Sequence, residues 1–105
     1  MSNIACDVIT KVKINTDLKH PKFYSVILLN DNVTSALFVV QTLMEVFGYG
    51  IEAAENITQS VDELGKGIAA SGLTKELASH LRDLVITRAR AESFPLVAEI
   101  QEDAE

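Results

Sequence analysis

A chain of 105 residues and 11.5 kDa has the length of one domain, and its 48% hydrophobic residues suffice for one core without a metal or a disulfide. Nine Lys and Arg against fifteen Asp and Glu leave a net charge of -6, and Lys11, Lys13, Lys19 and Lys22 lie among Asp7 and Asp17 without interleaved aromatic residues, which argues against nucleic acid and acidic membranes as partners. The single cysteine, Cys6, excludes an intramolecular disulfide and fits a reducing compartment, while the longest strictly apolar run, Ala36 to Val40, is far short of the ~20 residues that span a bilayer, so a soluble, non-secreted chain is expected.

Residues 1–21 show no sustained period of two or of 3.6, which predicts a flexible arm with a reach of about 25 Å. Phe23 to Leu29 is β-branched, aromatic and short, as a buried strand is, and stops at Asn30-Asp31-Asn32. Thr34 is the expected cap of a helix whose apolar positions are Ala36, Val39, Val40, Leu43, Met44 and Phe47, ended by Gly48-Tyr49-Gly50. A second helix follows over Ile51 to Leu64, with Ile51, Ala54, Ile57, Val61 and Leu64 on its inner face and Gly65-Lys66-Gly67 as its stop.

Ile68 to Leu73 is small and apolar and reads as a second strand or as a loop. Thr74 caps a third helix with Glu76 at its positive end, Arg88 and Arg90 at its negative end, and Leu77, Leu81, Leu84, Val85 and Ala89 as its stripe. Phe94-Pro95 breaks it, and Leu96 to Ile100 alternates as a last strand before an acidic tail over Gln101 to Glu105. The order β-α-α-β-α-β, with connections too short for several parallel crossovers, predicts an α+β two-layer sandwich in which a three-stranded antiparallel sheet packs against three helices.

The catalytic inventory is thin. Cys6 falls in the arm, where nothing rigid holds it near His20 or His80, and His80 has Leu84 rather than a second ligand at i+4. Metal-binding and phosphate-binding motifs are missing, so no cofactor, no metal and no catalytic residue is expected. The informative segment is Asn30-Asp31-Asn32-Val33-Thr34, which gathers amide, carboxylate and hydroxyl groups at a strand's end; an ordinary turn and cap explains the same residues equally well.

The run Phe23-Tyr24-Ser25-Val26-Ile27-Leu28-Leu29-Asn30-Asp31-Asn32-Val33-Thr34, with Phe38-Val39-Val40, Gly65-Lys66-Gly67 and Phe94-Pro95-Leu96, resembles the ClpS family of proteolytic adaptors over Phe23 to about Ile100. The resemblance implies a non-enzymatic adaptor domain over 22–105 that grips the N-terminal residue of a substrate, a bulky apolar N-degron, and hands it to a ClpA- or ClpC-type AAA+ unfoldase and its peptidase. It implies that Asn30, Asp31, Asn32 and Thr34 surround the α-amine and first peptide groups, and that Val39, Thr58, Val61 and Leu96 line the pocket for the first side chain. Such a site pairs acceptors for an ammonium with apolar burial, so it distinguishes a true chain start from an internal residue. A monomer is expected, in the cytoplasm or, in a plant or alga, the plastid stroma.

Two positions depart from the family pattern. Ala36 stands where the family usually has methionine at the pocket rim, which predicts a roomier pocket tolerant of Ile, Val or Trp alongside Leu, Phe and Tyr. Asp62 stands where the family usually has histidine, which predicts direct pairing of a carboxylate with the ammonium. Glu76 occupies a position implicated in unfoldase docking, and Arg82 lies one step from the expected cationic partner position, which is Leu81. The reading from another class is an interaction module like the C-terminal domain of the ribosomal stalk protein, which has no need to present Asn30-Asp31-x-x-Thr34. A small enzyme using Cys6, His20 or His80 ranks third.

Overall fold

A computed structural model describes residues 22–103, so the arm predicted over 1–21, with Cys6 and His20, lies outside the described residues, as do 104 and 105. The elements are β1 (Tyr24–Leu29), α1 (Ala36–Phe47), α2 (Ile51–Leu64), β2 (Lys66–Leu73), α3 (Lys75–Ala91) and β3 (Val97–Glu102). The sheet order is β2-β1-β3 and both pairings are antiparallel, which is the architecture expected from the sequence. β1 is central and bonded on both sides, which explains its near-continuous apolar character: Val26 and Leu28 enter the core cluster with residues of all three helices, while Ser25 and Ile27 are also buried. Among the described residues no helix is long and apolar enough to cross a membrane.

Helix ends follow local chemistry, with one correction. Ser35, not Thr34, caps α1, its Oγ accepting from the Phe38 N–H at 3.2 Å, because the Thr34 hydroxyl is committed to Asp31. Gly48 and Gly65 close α1 and α2 in the left-handed conformation, φ 79° and 85°. Thr74 caps α3 as expected, accepting from the Leu77 N–H at 3.1 Å. That helix ends at Ala91, where Ser93 takes φ 63° before Phe94 and Pro95.

The buried faces are narrower than the apolar patterns suggested. On α2 the inner face is Ala54, Thr58 and Val61, whereas Ile51 and Leu64 are exposed; on α3 it is Ala78, Val85 and Ala89, with Leu77 and Leu84 exposed. On α1 it is Phe38, Val39, Thr42 and Leu43, with Ala36 and Met44 exposed. Thr58 is compatible with burial because its Oγ1 donates to the Ala54 carbonyl at 2.7 Å. The segment left open as strand or loop is a strand, and it begins earlier: Lys66 and Gly67, expected as part of a stop signal, pair with Leu29 and Leu28.

Gly67 is required for a reason beyond backbone freedom. A Cβ there would lie 2.7 Å from Val61 Cγ2 and 3.4 Å from the Val61 nitrogen, so α2 and β2 approach closely enough that any side chain would force Val61 to shift. Gly67→Ala is expected to cost about 1 to 3 kcal/mol by overpacking, read as a lower midpoint in thermal unfolding. The predicted acidic tail is also partly structural: Gln101 and Glu102 belong to β3, and Asp103 accepts from the Ser25 hydroxyl and from the Gly72 N–H while its own N–H donates to the Phe23 carbonyl.

Candidate functional site

The strand registers converge on Asn30. Leu29 pairs with Lys66 on one side and Val97 on the other, so the next residue, Asn30, lies between Gly65 and Leu96, and its N–H donates to the Gly65 carbonyl at 2.9 Å. The end of β1 is thereby tied to the C-terminal end of α2. The Asn30 side chain is exposed.

Beyond it the chain turns on Asp31. One oxygen, Oδ1, accepts from the N–H groups of Val33 at 2.8 Å and Thr34 at 2.7 Å, and Oδ2 accepts from the Thr34 hydroxyl at 2.7 Å. Burial works to raise the Asp31 pKa, but these hydrogen bonds and the positive charge of Arg90 outweigh it and hold the carboxyl below its ordinary range. Asp31 is therefore an ionised brace for its own loop, and its lone pairs are largely spent there. Asn32 is exposed in the same turn, and Thr34 is half-buried.

The residues expected to line a side-chain pocket are graded in exposure. Ala36, the first residue of α1, is exposed; Val39 and Thr58 are 6% and 9% exposed; Val61 is 3% and Leu96 is 1% exposed. Val39, Val61 and Leu96 belong to one packed cluster, and Ala36 lies outside it. A cleft of about 570 Å³ lies elsewhere, with Ser25, Ile27, Ile57, Leu64 and Ile68 in its walls.

The electrostatics of this end of the fold favour a cation. A helix C-terminus carries a partial negative charge, and the last turn of α2 holds Asp62 and Glu63 with no basic residue to offset it. Glu63 accepts from the Gln59 amide at 2.9 Å, whereas Asp62 is exposed and forms no ion pair among the described residues.

Glu76 and Arg82 are not brought together. Glu76 is in the first turn of α3, beside Lys75, Ser79, His80 and Asp83 in a shallow open depression, while Arg82 donates from Nε to the adjacent Asp83 at 3.1 Å. The two are six positions apart in the helix, which turns them about 120° apart around the axis. His80 is exposed, as expected.

Sequence reasoning missed Arg90. Its Nη1 donates to the carbonyls of Phe94 at 2.8 Å and Leu96 at 2.9 Å, fixing the loop that carries Leu96. The available signal was an arginine in a last helical turn just before Phe-Pro, which was read only as a charge suited to that helix end.

The same elements recur in known proteins. A family model described as "ATP-dependent Clp protease adaptor protein ClpS" matches residues 19–99. The chain belongs to the ClpS family. Members named as ATP-dependent Clp protease adapter protein ClpS include that of Campylobacter jejuni, 37% identical over 94 residues that make up 90% of this chain and 97% of that one. The ClpS of Oleidesulfovibrio alaskensis is 41% identical over 87% of this chain and 86% of its own. Among solved structures, Agrobacterium tumefaciens ClpS2 bound to L-phenylalaninamide superposes with a TM-score of 0.77 at 23% identity, covering 80% of this chain and all of that one, which shows the shared fold. Membership in ClpS places the chain among adaptors of the ATP-dependent Clp protease, a family other than the ribosomal stalk.

Proposed function

We propose that this ClpS-family chain binds the free N-terminal residue of substrate proteins, with a preference for bulky apolar side chains, and delivers them as a monomer to a ClpA- or ClpC-type AAA+ unfoldase. The observation that carries the reading is the tie between Asn30 and Gly65, which joins an exposed amide and the Asp31 turn to the C-terminal end of α2, whose last turn holds no basic residue. An α-ammonium entering there meets acceptors and a favourable field, and the adjoining graded apolar wall, Ala36 to Leu96, receives its side chain. The phenylalaninamide in the Agrobacterium relative is a compound of this class, a free amine beside an aromatic side chain. Glu76 is assigned to the unfoldase contact by family position, and Arg82 is carried as a neighbouring cation on another side of α3. The site needs no cofactor, since it holds its ligand by charge, hydrogen bonds and apolar contact.

Fluorescence anisotropy with a labelled peptide beginning with Leu, against its Nα-acetylated twin, tests the reading. Acetylation is expected to weaken binding at least tenfold because it removes the charge and blocks the amine. Equal affinity for the two would overturn it. In the same assay Ile-, Val- and Trp-initiated peptides are expected to bind within about tenfold of the Leu peptide, since Ala36 leaves the rim open, and Ala36→Met is expected to exclude them. Strict exclusion of all three by the wild type would contradict the role given to Ala36.

Asp62 gives a prediction in which stability and function move in opposite directions. Asp62→Asn removes an acid from the C-terminal turn of α2 and is expected to raise stability slightly, by a few tenths of a kcal/mol, read as a higher unfolding midpoint. Peptide binding is expected to weaken by about fivefold or more as the ammonium loses its partner. Unchanged affinity would return Asp62 to the status of a solvated helix acid.

A further inference from the structure

Arg90 lies outside the residues assigned to amine or side-chain recognition, yet three observations join it to both halves of the site. Its Nη1 donates to the Phe94 carbonyl at 2.8 Å and to the Leu96 carbonyl at 2.9 Å. The loop between those carbonyls has no regular structure of its own: it leaves α3 through Ser93 at φ 63°, passes Pro95 and enters β3 at Val97. Its other anchors are the Phe94 N–H, which donates to the Ala89 carbonyl at 2.8 Å, and the Phe94 ring, 5.0 Å from that of Phe38 on α1. Its positive charge is also the least of the influences that lower the Asp31 pKa, after the hydrogen bonds from Thr34 and Val33.

We propose that Arg90 is a positioning residue for the candidate site, one cation that clamps the Phe94–Leu96 loop by its carbonyls and thereby fixes the Leu96 side chain at the pocket floor against the Asp31 turn. A backbone carbonyl pair is held as well by a point cation as by a planar fork, because both bonds come from one nitrogen. Lysine at this position therefore restores much of the clamp, whereas methionine keeps the apolar stem and loses the charge and both donors. Arg90 bonds the Leu96 carbonyl directly and lends only its charge to the Asp31 turn, so the clamp rests on the carbonyl bonds. Loosening Leu96 degrades the choice among first side chains more than the hold on the amine, because the amine acceptors belong to β1, the following turn and α2.

The proposal rests on the N-terminus-binding reading, so the experiment separates the two. Wild type, Arg90→Met and Arg90→Lys are compared in three readouts: amide exchange at Phe94, the Asp31 carboxyl titration followed by carbon NMR, and affinity for peptides beginning with Leu and with Ala. Arg90→Met is expected to speed Phe94 exchange at least tenfold, raise the Asp31 titration midpoint, and reduce the Leu-over-Ala preference at least fivefold; Arg90→Lys is expected to recover most of each. A methionine variant that is folded and keeps the wild-type preference overturns the positioning role while leaving the binding function standing. A wild type that binds neither peptide overturns the binding function itself, and unchanged Phe94 exchange and Asp31 titration in Arg90→Met overturn the clamp whatever the peptides do.

Discussion

Leu96→Ala is expected to lower stability by about 2 to 5 kcal/mol, the largest effect of any single truncation considered for this site. Leu96 is 1% exposed and belongs to the core cluster contributed by the sheet and all three helices. It precedes β3, and its own carbonyl is held by Arg90, so the backbone has little freedom to collapse into the vacated space. The loss therefore includes a cavity as well as the transferred side-chain area, and in a domain of this size it shifts the thermal midpoint by roughly 10 °C or more. The binding consequence has a direction too. A lowered floor leaves a Leu first residue short of contacts, so the variant, measured below its own midpoint, is expected to favour Phe or Trp over Leu relative to wild type. Thermal unfolding followed by circular dichroism and the peptide panel check both parts.

Asp31→Ala is expected to cost about 2 kcal/mol at neutral pH, because it strips the Val33 and Thr34 N–H groups and the Thr34 hydroxyl of one shared acceptor. The wild-type stabilisation is pH-dependent. The folded pKa is held below the unfolded value, so the contribution is fully present above the ordinary aspartate pKa of about 3.9 and is lost as pH falls through the folded value. Asparagine keeps one acceptor for the two N–H groups and does not titrate. Unfolding titrations of wild type and Asp31→Asn are therefore expected to differ at pH 7 and to converge below about pH 4. A gap of constant size down to pH 2 would show that ionisation of Asp31 plays no part in bracing the turn.

These two residues also mark how far the sequence could be read. The end of β1, the two glycine-closed helices and the cap of α3 were legible because each depends on neighbours in the chain: a β-branched run, a glycine after an apolar stripe, a threonine before one. Thr34 and Ser35 show the limit of such local reading, since both are good caps and only the pull of Asp31 on Thr34 decides between them. β2 was ambiguous because small residues carry little strand preference, and what selects them is the close approach of Val61 to Gly67, a contact across the fold.

Exposed Ile51, Leu64, Leu77 and Leu84 show that periodicity overstates a buried face when the sheet beneath is only three strands wide. For the proposed site, Asn30, Asp31 and Thr34 stand out in the sequence by their chemistry and by resemblance together. Arg90 was missed because its partners are carbonyls, which carry no side-chain signature in a sequence.

The central claim is that the junction of the β1 end, the α2 C-terminus and the Leu96 loop receives a free chain start. Amide and methyl chemical shifts of the labelled protein, recorded during titration with a Leu-initiated peptide and with its Nα-acetylated twin, test it most directly. The account predicts shifts centred on Asn30 to Val39, Thr58 to Gly65 and Leu96 with the free peptide, and none of comparable size with the blocked one. Shifts centred instead on the cleft of Ser25, Ile57, Leu64 and Ile68, or the same response to both peptides, would contradict it.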